Sequence, residues 1–270
     1  MKRSRYFLIQ VITVLFLTTL SFAQFQEEGI IQKITIKPSI GFEYFNRKID
    51  LFTYNSEGDR WDKDGESTKL KSYFFTISIE FELQEGFSVT PIFGYSVSKY
   101  DSIIFRKLPF SIELDVGGIK GYIFGGEIKK SFFYIKDIEI EGIGQFVYYL
   151  GRKEEWEMPG LNVKGQAVGK PYWMRGSVGP VFTYRRSDYF YPYLYINFNK
   201  LWGNFKMDQI IQDINGSEEK KISGKSIFSA SFGAVYEISE AFSFKGEANI
   251  MPFKGGVDLG LKIRAIYSFK

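Results

Sequence analysis

The stretch VDLGLKIRAIYSFK, from Val257 to Lys270, decides the fold. Val257, Leu259, Leu261, Ile263, Ala265, Tyr267 and Phe269 are apolar. Asp258, Gly260, Lys262, Arg264 and Ser268 between them are small or charged. A pleated strand sends successive side chains to opposite faces, so this alternation predicts a strand with one apolar and one polar face. The apolar face must meet either a protein core or the hydrocarbon of a bilayer, and the choice fixes the class of the protein.

The same alternation recurs in ten segments along the 270 residues: Ile34 to Tyr44, Tyr73 to Leu83, Phe87 to Val97, Tyr122 to Ile128, Ile138 to Leu150, Tyr172 to Tyr184, Phe190 to Phe198, Phe228 to Ile238, Phe242 to Ile250, and the stretch quoted above. No charged residue falls on any of their apolar faces. The opposite faces carry Lys37, Glu43, Glu80, Glu82, Glu127, Glu139, Glu141, Arg175, Arg185, Lys225, Glu237, Lys245, Glu247, Asp258, Lys262 and Arg264. Apolar spacing stays near two rather than 3.6, so no helix is predicted after the N-terminal segment. Tight links at Gln84 to Gly86, Arg186 to Asp188 and Ser239 to Glu240 alternate with long polar ones at Asn46 to Lys71, Tyr100 to Gly117, Gly151 to Lys170 and Gly203 to Lys221. Ten strands are predicted, or eight if the short fourth or the seventh segment does not form one.

The chain opens MKRSRYFLIQVITVLFLTTLSFAQ. Lys2, Arg3 and Arg5 precede an apolar run from Tyr6 to Leu20, and Ser21-Phe22-Ala23 offers small residues for a peptidase. That is a signal peptide, residues 1–23, cleaved before Gln24; the run falls short of the roughly 20 apolar residues of a membrane anchor. Residues 24–270 then form a single domain. Loss of the three basic residues takes the formal net charge from +4 to +1, which excludes nucleic acid as a charge-driven partner. The chain has no cysteine, hence no disulfide framework and no thiolate metal site. It also has no histidine, the commonest general base and metal ligand. No cofactor is expected.

The strands are too long for an ordinary soluble domain. They run about 10 to 14 residues, against about 5 or 6 in soluble sheets and roughly 9 to 11 in tilted membrane strands. The combined apolar faces also exceed what the inside of a small soluble barrel holds. Aromatic residues make up 19% of the chain and sort to the strand ends. Tyr44, Tyr73, Tyr95, Tyr122, Tyr148 and Tyr172 lie toward the long links, and Tyr184, Tyr236, Phe242, Tyr267 and Phe269 toward the tight ones. Two belts of amphipathic rings suit the two headgroup levels of a bilayer.

On these strands, belts and alternating links, the chain resembles the outer-membrane β-barrel proteins of diderm bacteria. The resemblance implies an all-β fold: a transmembrane, antiparallel, up-and-down barrel with long extracellular loops and short periplasmic turns. It implies outer-membrane lipid as the surroundings and the barrel-assembly machinery as a partner. Such proteins end on an aromatic assembly signal, which Tyr267 and Phe269 are similar to; Lys270 departs from it by leaving the aromatic penultimate. Membrane-barrel enzymes of the omptin or phospholipase kind, as the resemblance has it, place a histidine in the site. None of their mechanisms transfers to this chain, and the expectation is a monomer that is not an enzyme.

With the apolar face toward lipid, the charges point into the lumen. Acids dominate the second to fifth segments and bases the sixth to tenth, so Lys37, Glu80, Glu82, Glu127, Glu139, Glu141, Arg175, Arg185, Glu237, Lys245, Glu247, Lys262 and Arg264 are expected to form a charge network across low dielectric. The carboxylate pairs Glu80 with Glu82 and Glu139 with Glu141 read as partners of those bases rather than as an acid–base couple. The network, with Tyr189, Tyr191, Tyr193 and Tyr195, would largely plug the barrel and leave it a platform for its loops. A narrow channel for small solutes is the alternative, and an exported soluble β-sandwich binding protein a second. The first long link holds SEGDRWDKDGEST, whose Asp59, Asp62, Asp64 and Glu66 fall short of a calcium ladder and read as a solvated turn. Trp61, Trp156 and Trp202 are the candidates for holding an external ligand.

Overall fold

The computed structural model describes residues 34–83, 86–114, 117–157 and 165–269. The signal segment 1–23 and Lys270 lie outside them. Fourteen strands are found among the described residues: β1 (Thr35–Asn55), β2 (Arg60–Glu82), β3 (Phe87–Asp101), β4 (Ile103–Phe105), β5 (Ile112–Leu114), β6 (Ile119–Ile135), β7 (Ile138–Gly151), β8 (Glu154–Glu157), β9 (Gly165–Tyr184), β10 (Phe190–Ile211), β11 (Ile214–Gly224), β12 (Phe228–Glu237), β13 (Phe242–Phe253) and β14 (Gly256–Tyr267). Among the described residues no helix is long and apolar enough to cross a membrane.

The pairings close on themselves. Antiparallel neighbours run β1-β2-β3-β6-β7-β9-β10-β12-β13-β14 and back to β1, a circuit of the ten strands whose faces the alternation marks. The quoted stretch is the closing strand: Leu261 pairs with Ala248 of β13 on one side and with Tyr44 of β1 on the other. Each of these ten strands has a neighbour on both sides, so the wall itself has no free edge strand.

The long polar links differ from the expectation. The first is the continuation of β1 and β2 into one hairpin paired out to Asn55 and Arg60, with Asp59 at a positive φ in the turn. The fourth is the upper part of β10 together with β11, turning at Gln212. The second contributes the β4–β5 hairpin, and the third contains β8, which extends the β9 edge. Sequence alternation in these links is blurred because both faces there carry charges, so strand pairing continues where the pattern reads as loop.

β11 creates a second, smaller circuit. β10 pairs with β12 from Phe190 to Phe198, then with β11 from Trp202 upward. β1 pairs with β14 from Ser39 to Asn46, then with β11 from Ile49 to Thr53. At the long-hairpin end β11 therefore replaces three strands, leaving eight: β1, β2, β3, β6, β7, β9, β10 and β11. Gly224, at the base of β11, lets this happen, because a Cβ there would sit 3.0 Å from Arg47 Nη2 and 3.1 Å from Leu201 Cβ.

The two faces are partitioned as the alternation requires. Ile40, Phe75, Phe93, Phe124, Phe146, Val178, Phe198, Phe232, Leu261 and Ile263 are exposed on the outside of the wall. Ser72, Ser96, Ser98, Arg175, Asn197, Asn199, Ser231 and Arg264 are buried inside it. An apolar skin that encircles the protein is incompatible with water, since the largest patch on a typical soluble monomer is about 300–600 Å².

Candidate functional site

The interior has two storeys, and the change in strand number separates them. In the ten-stranded storey, the period-2 pleat brings charges inward from nearly every strand. Glu43 of β1 receives a hydrogen bond from Arg175 of β9 across the lumen. Glu127 of β6 lies 3.7 Å from Arg264 of β14 and accepts from Gln145 Nε2 at 2.8 Å. Lys129 reaches Glu80 at 3.0 Å and Glu141 at 3.7 Å. Lys37 pairs with Glu82 at 2.6 Å, and Arg185 with Glu139 at 2.7 Å. Tyr193 Oη donates to Glu247 at 2.8 Å, with Lys245 Nζ 4.7 Å from the centre of the same ring. In a medium of low dielectric, each charge needs such a partner to stay ionised.

Most of the expected network residues are thus gathered in one place. Lys262 is among them, pointing inward among Glu127, Glu43 and Glu247. Glu237 and Arg185 are at the tight-turn rim instead. Glu237 is exposed and meets Tyr191 Oη at 3.4 Å. Two members were missed by reading the sequence. Lys129 lies two residues beyond Glu127 on the same inward row, and extending the fourth segment by one pleat finds it. Arg47 sits in what reads as a polar link; it is fully buried and bonds Asn199 Oδ1 at 2.7 Å and the Ser226 carbonyl at 2.8 Å. Between these groups lies a cavity of about 50 Å³ lined by Glu43, Glu127, Tyr195, Lys245, Glu247 and Lys262, room for a few waters.

The eight-stranded storey is filled chiefly by apolar side chains, with Glu218, Lys220 and Gln209 buried beside them. Phe45, Ile49, Leu51, Leu70, Phe74, Tyr100, Ile119, Ile123, Val147, Tyr149, Trp173, Leu201, Phe205 and Ile222 form one buried cluster. Trp173, fully buried, stacks on Tyr149 with ring centres 5.2 Å apart and meets Phe45 edge-on at 5.4 Å. The β4–β5 hairpin caps the cluster by adding Ile103, Phe105, Leu108 and Leu114. Its backbone is pinned by the Lys107 amide to Glu218 at 2.7 Å and by the Phe110 amide to Gln209 Oε1 at 2.8 Å. Eight strands leave an interior that side chains alone can fill. Of the four tyrosines expected in the lumen, Tyr193 and Tyr195 face inward in the other storey, Tyr191 lies under Arg185 at 4.7 Å, and Tyr189 is exposed and packs on Tyr236.

The tryptophans and the acidic turn are occupied by the hairpins. Trp61 packs on Tyr54 with ring centres 5.5 Å apart and lies under Lys221 Nζ at 3.9 Å. Trp156 packs against the apolar cluster, and Trp202 faces outward beside Phe146. Asp59 accepts from Tyr54 Oη, Asp62 from Asn55 at 2.9 Å, and Asp64 from Lys220 at 2.6 Å. Among the described residues no three such groups converge on a point that could hold a metal. At the C-terminal end, Tyr267 pairs with Phe242, and the Phe269 amide bonds the Ile36 carbonyl at 3.1 Å.

Solved structures with a partly similar chain course include three from bacteria. The outer membrane protease OmpT from Escherichia coli gives a TM-score of 0.48 at 12% identity, over 89% of this chain and 99% of that one. The beta domain of the Bordetella autotransporter BrkA gives 0.44 at 12% identity, over 88% and 100%. The translocator domain of autotransporter NalP from Neisseria meningitidis gives 0.33 at 12% identity, over 93% and 98%. No family model and no curated protein matches the sequence. The chemistry of the interior is therefore read from this chain's own residues.

Proposed function

We propose that this protein is an integral outer-membrane β-barrel of a diderm bacterium, without catalysis, whose lumen is closed and whose hairpin extensions stand outside the cell. The observation that carries this reading is the two-storey interior. A channel needs a continuous wet path, and here the polar storey ends against a cluster that contains fully buried Trp173, Phe205 and Leu201. The charged storey supports the same reading, because its acids and bases face one another as pairs. The chain has no histidine to stand beside them as a general base.

The membrane placement rests on the outer face. Its exposed leucine, isoleucine and phenylalanine side chains lie between two rows of tyrosines. Tyr44 with Tyr73 and Tyr95 with Tyr122 mark one row; Tyr189 with Tyr236 and Tyr267 with Phe269 mark the other. Rings of this kind sit at headgroup level, with hydrocarbon between them. The tight-turn end then faces the periplasm, as in barrels whose short turns lie there.

Cell fractionation with gel migration tests the proposal. The expected result is recovery with the outer membrane and a band that shifts between unboiled and boiled samples. Recovery in the soluble periplasmic fraction would refute the membrane reading and leave the exported sandwich. A boil-resistant single mobility would refute the closed barrel.

A further inference from the structure

Charges on the outward face of the wall are not spread evenly. Between the two aromatic rows the outward positions of the described strands carry a single charge, Lys200, which pairs with Gly176 of β9 two pleats below Tyr172. Just above the row at the long-hairpin end they carry an arc of bases. Lys71 of β2 pairs in register with Lys99 of β3, and Lys120 of β6 with Val97, the residue that lies outward one pleat below Lys99. Just after β7 the Arg152 amide bonds the Lys120 carbonyl at 2.7 Å, which places Arg152 at the same level. Lys170 of β9 and, in register with it, Lys206 of β10 continue the arc. Tyr73, Tyr122 and Tyr172 lie one pleat beneath Lys71, Lys120 and Lys170 on their own strands, a step of roughly 6.7 Å.

The arc is only partly neutralised. Lys71 has Asp101 at 2.8 Å and Lys170 has Asp208 at 3.4 Å. Lys206 shares Asp208 at 3.2 Å. Among the described residues, Lys99, Lys120 and Arg152 have no carboxylate within ion-pair distance. Lys120, Arg152, Lys170 and Lys206 are exposed. At the other aromatic row Lys130 is the one outward base on a described strand, so the arc belongs to one boundary.

The geometry points to a lipid site: a collar that binds the phosphate-bearing headgroups of the leaflet around the long-hairpin end. This rests on the membrane placement proposed above. The side chains project sideways from the wall, directly over the tyrosines, where headgroups lie. A dissolved polyanion or a protein partner would instead meet the hairpin tips, where the turn from Asn55 to Arg60 stands. Flexible ammonium groups on aliphatic stems suit this position, the stem lying on apolar surface and the charge reaching the phosphate.

The test uses the full mature barrel in phosphatidylcholine vesicles with traces of spin-labelled lipid. Selectivity is read as the association constant of labelled phosphatidylglycerol relative to labelled phosphatidylcholine. Each base near a charged leaflet is worth about fivefold in partitioning. The expected result is a clear preference for phosphatidylglycerol that falls toward unity in the combined variant Lys99→Gln, Lys120→Gln and Arg152→Gln, and in high salt. A ratio near one in the native protein, or a ratio the variant leaves unchanged, would overturn the lipid site. So would binding of soluble polyphosphate that is as sensitive to the variant while lipid selectivity is not. Gel migration of both proteins in neutral vesicles separates the two failures: a barrel that inserts without lipid preference sinks only the collar, and a chain that does not insert sinks the membrane placement.

Discussion

Arg47 Nη1 donates a 2.7 Å hydrogen bond to Asn199 Oδ1, joining two residues 152 positions apart at the level where the barrel changes from ten strands to eight. Nη2 of the same guanidinium bonds the Ser226 carbonyl at 2.8 Å, and Ser226 in turn bonds Asp258 at 2.7 Å. One side chain therefore ties together β1, β10, the β11–β12 link and β14 at the point where β11 takes over from three strands. Arg47→Met leaves the amide and carbonyl without a donor. Because bonds to a charged group are worth about 1.5–3 kcal/mol each, the substitution should lower stability by roughly 2–4 kcal/mol. Lysine cannot bond both acceptors from one planar head, so Arg47→Lys should restore only part of it. Urea unfolding in vesicles measures both.

The faces of β14 make a paired prediction. Leu261 is 55% exposed on the outside, and Lys262 next to it points into the charged storey. Leu261→Arg puts a charge near mid-bilayer and should cost about 2–4 kcal/mol. Lys262→Gln keeps a polar group among acids that retain Arg175, Arg264 and Lys245, and should be much milder. Equal effects in the same unfolding assay would mean that the faces are assigned the wrong way round.

Glu43 and Arg175 are tied across the lumen, both inside the wall. Removing one partner strands the other charge, and Glu43→Gln or Arg175→Met alone should each cost about 3–5 kcal/mol. The double variant should lie closer to the native protein than either single one. A double-mutant cycle with additive losses would show that the pair does not couple.

The hairpin extensions should loosen in acid. Burial works to raise the Asp50 carboxyl, but hydrogen bonds from Lys63 and Ser67 and the nearby Lys225 hold it below the usual aspartate range. Asp208 is likewise lowered overall: burial opposes Ser217, Lys206 and Lys170, which prevail. A lowered native value stabilises the fold above the unfolded pKa of about 3.9, and the contribution is lost as pH falls through the native value. Hydrogen exchange in β1–β2 and β10–β11, corrected for intrinsic rates, should be steady from neutral pH down to about 4 and accelerate below it. Acceleration already near neutral pH would assign the tips to other contacts.

The ten wall strands were legible because a membrane wall imposes one rule on every strand. Any charge placed outward between the belts would be costly, so Ile40, Phe93 and Leu261 mark their faces without knowledge of the neighbours. The closing position of β14 followed from the same rule. The apolar storey was not legible. Phe45, Leu70, Phe74, Leu201 and Phe205 sit on inward rows that also hold Arg47, Ser72 and Gln209, so no period separates the filling from the lumen charges. Nor does any local pattern show that β11 crosses from β10 to β1, since its partners lie more than a hundred residues away on one side. The collar was visible only once register had placed Lys71, Lys99, Lys120 and Lys170 at neighbouring heights.

Single-channel recording of the mature protein in a planar bilayer tests the closed lumen most directly. Insertion should leave the baseline conductance unchanged, because Trp173, Phe205 and the β4–β5 hairpin fill the eight-stranded storey. A companion protein lacking the hairpin from Ile103 to Leu114 should show openings, since its cap residues are gone while the wall is kept. Steady openings of the native protein, at a conductance the companion does not exceed, would contradict the closed barrel and establish a pore.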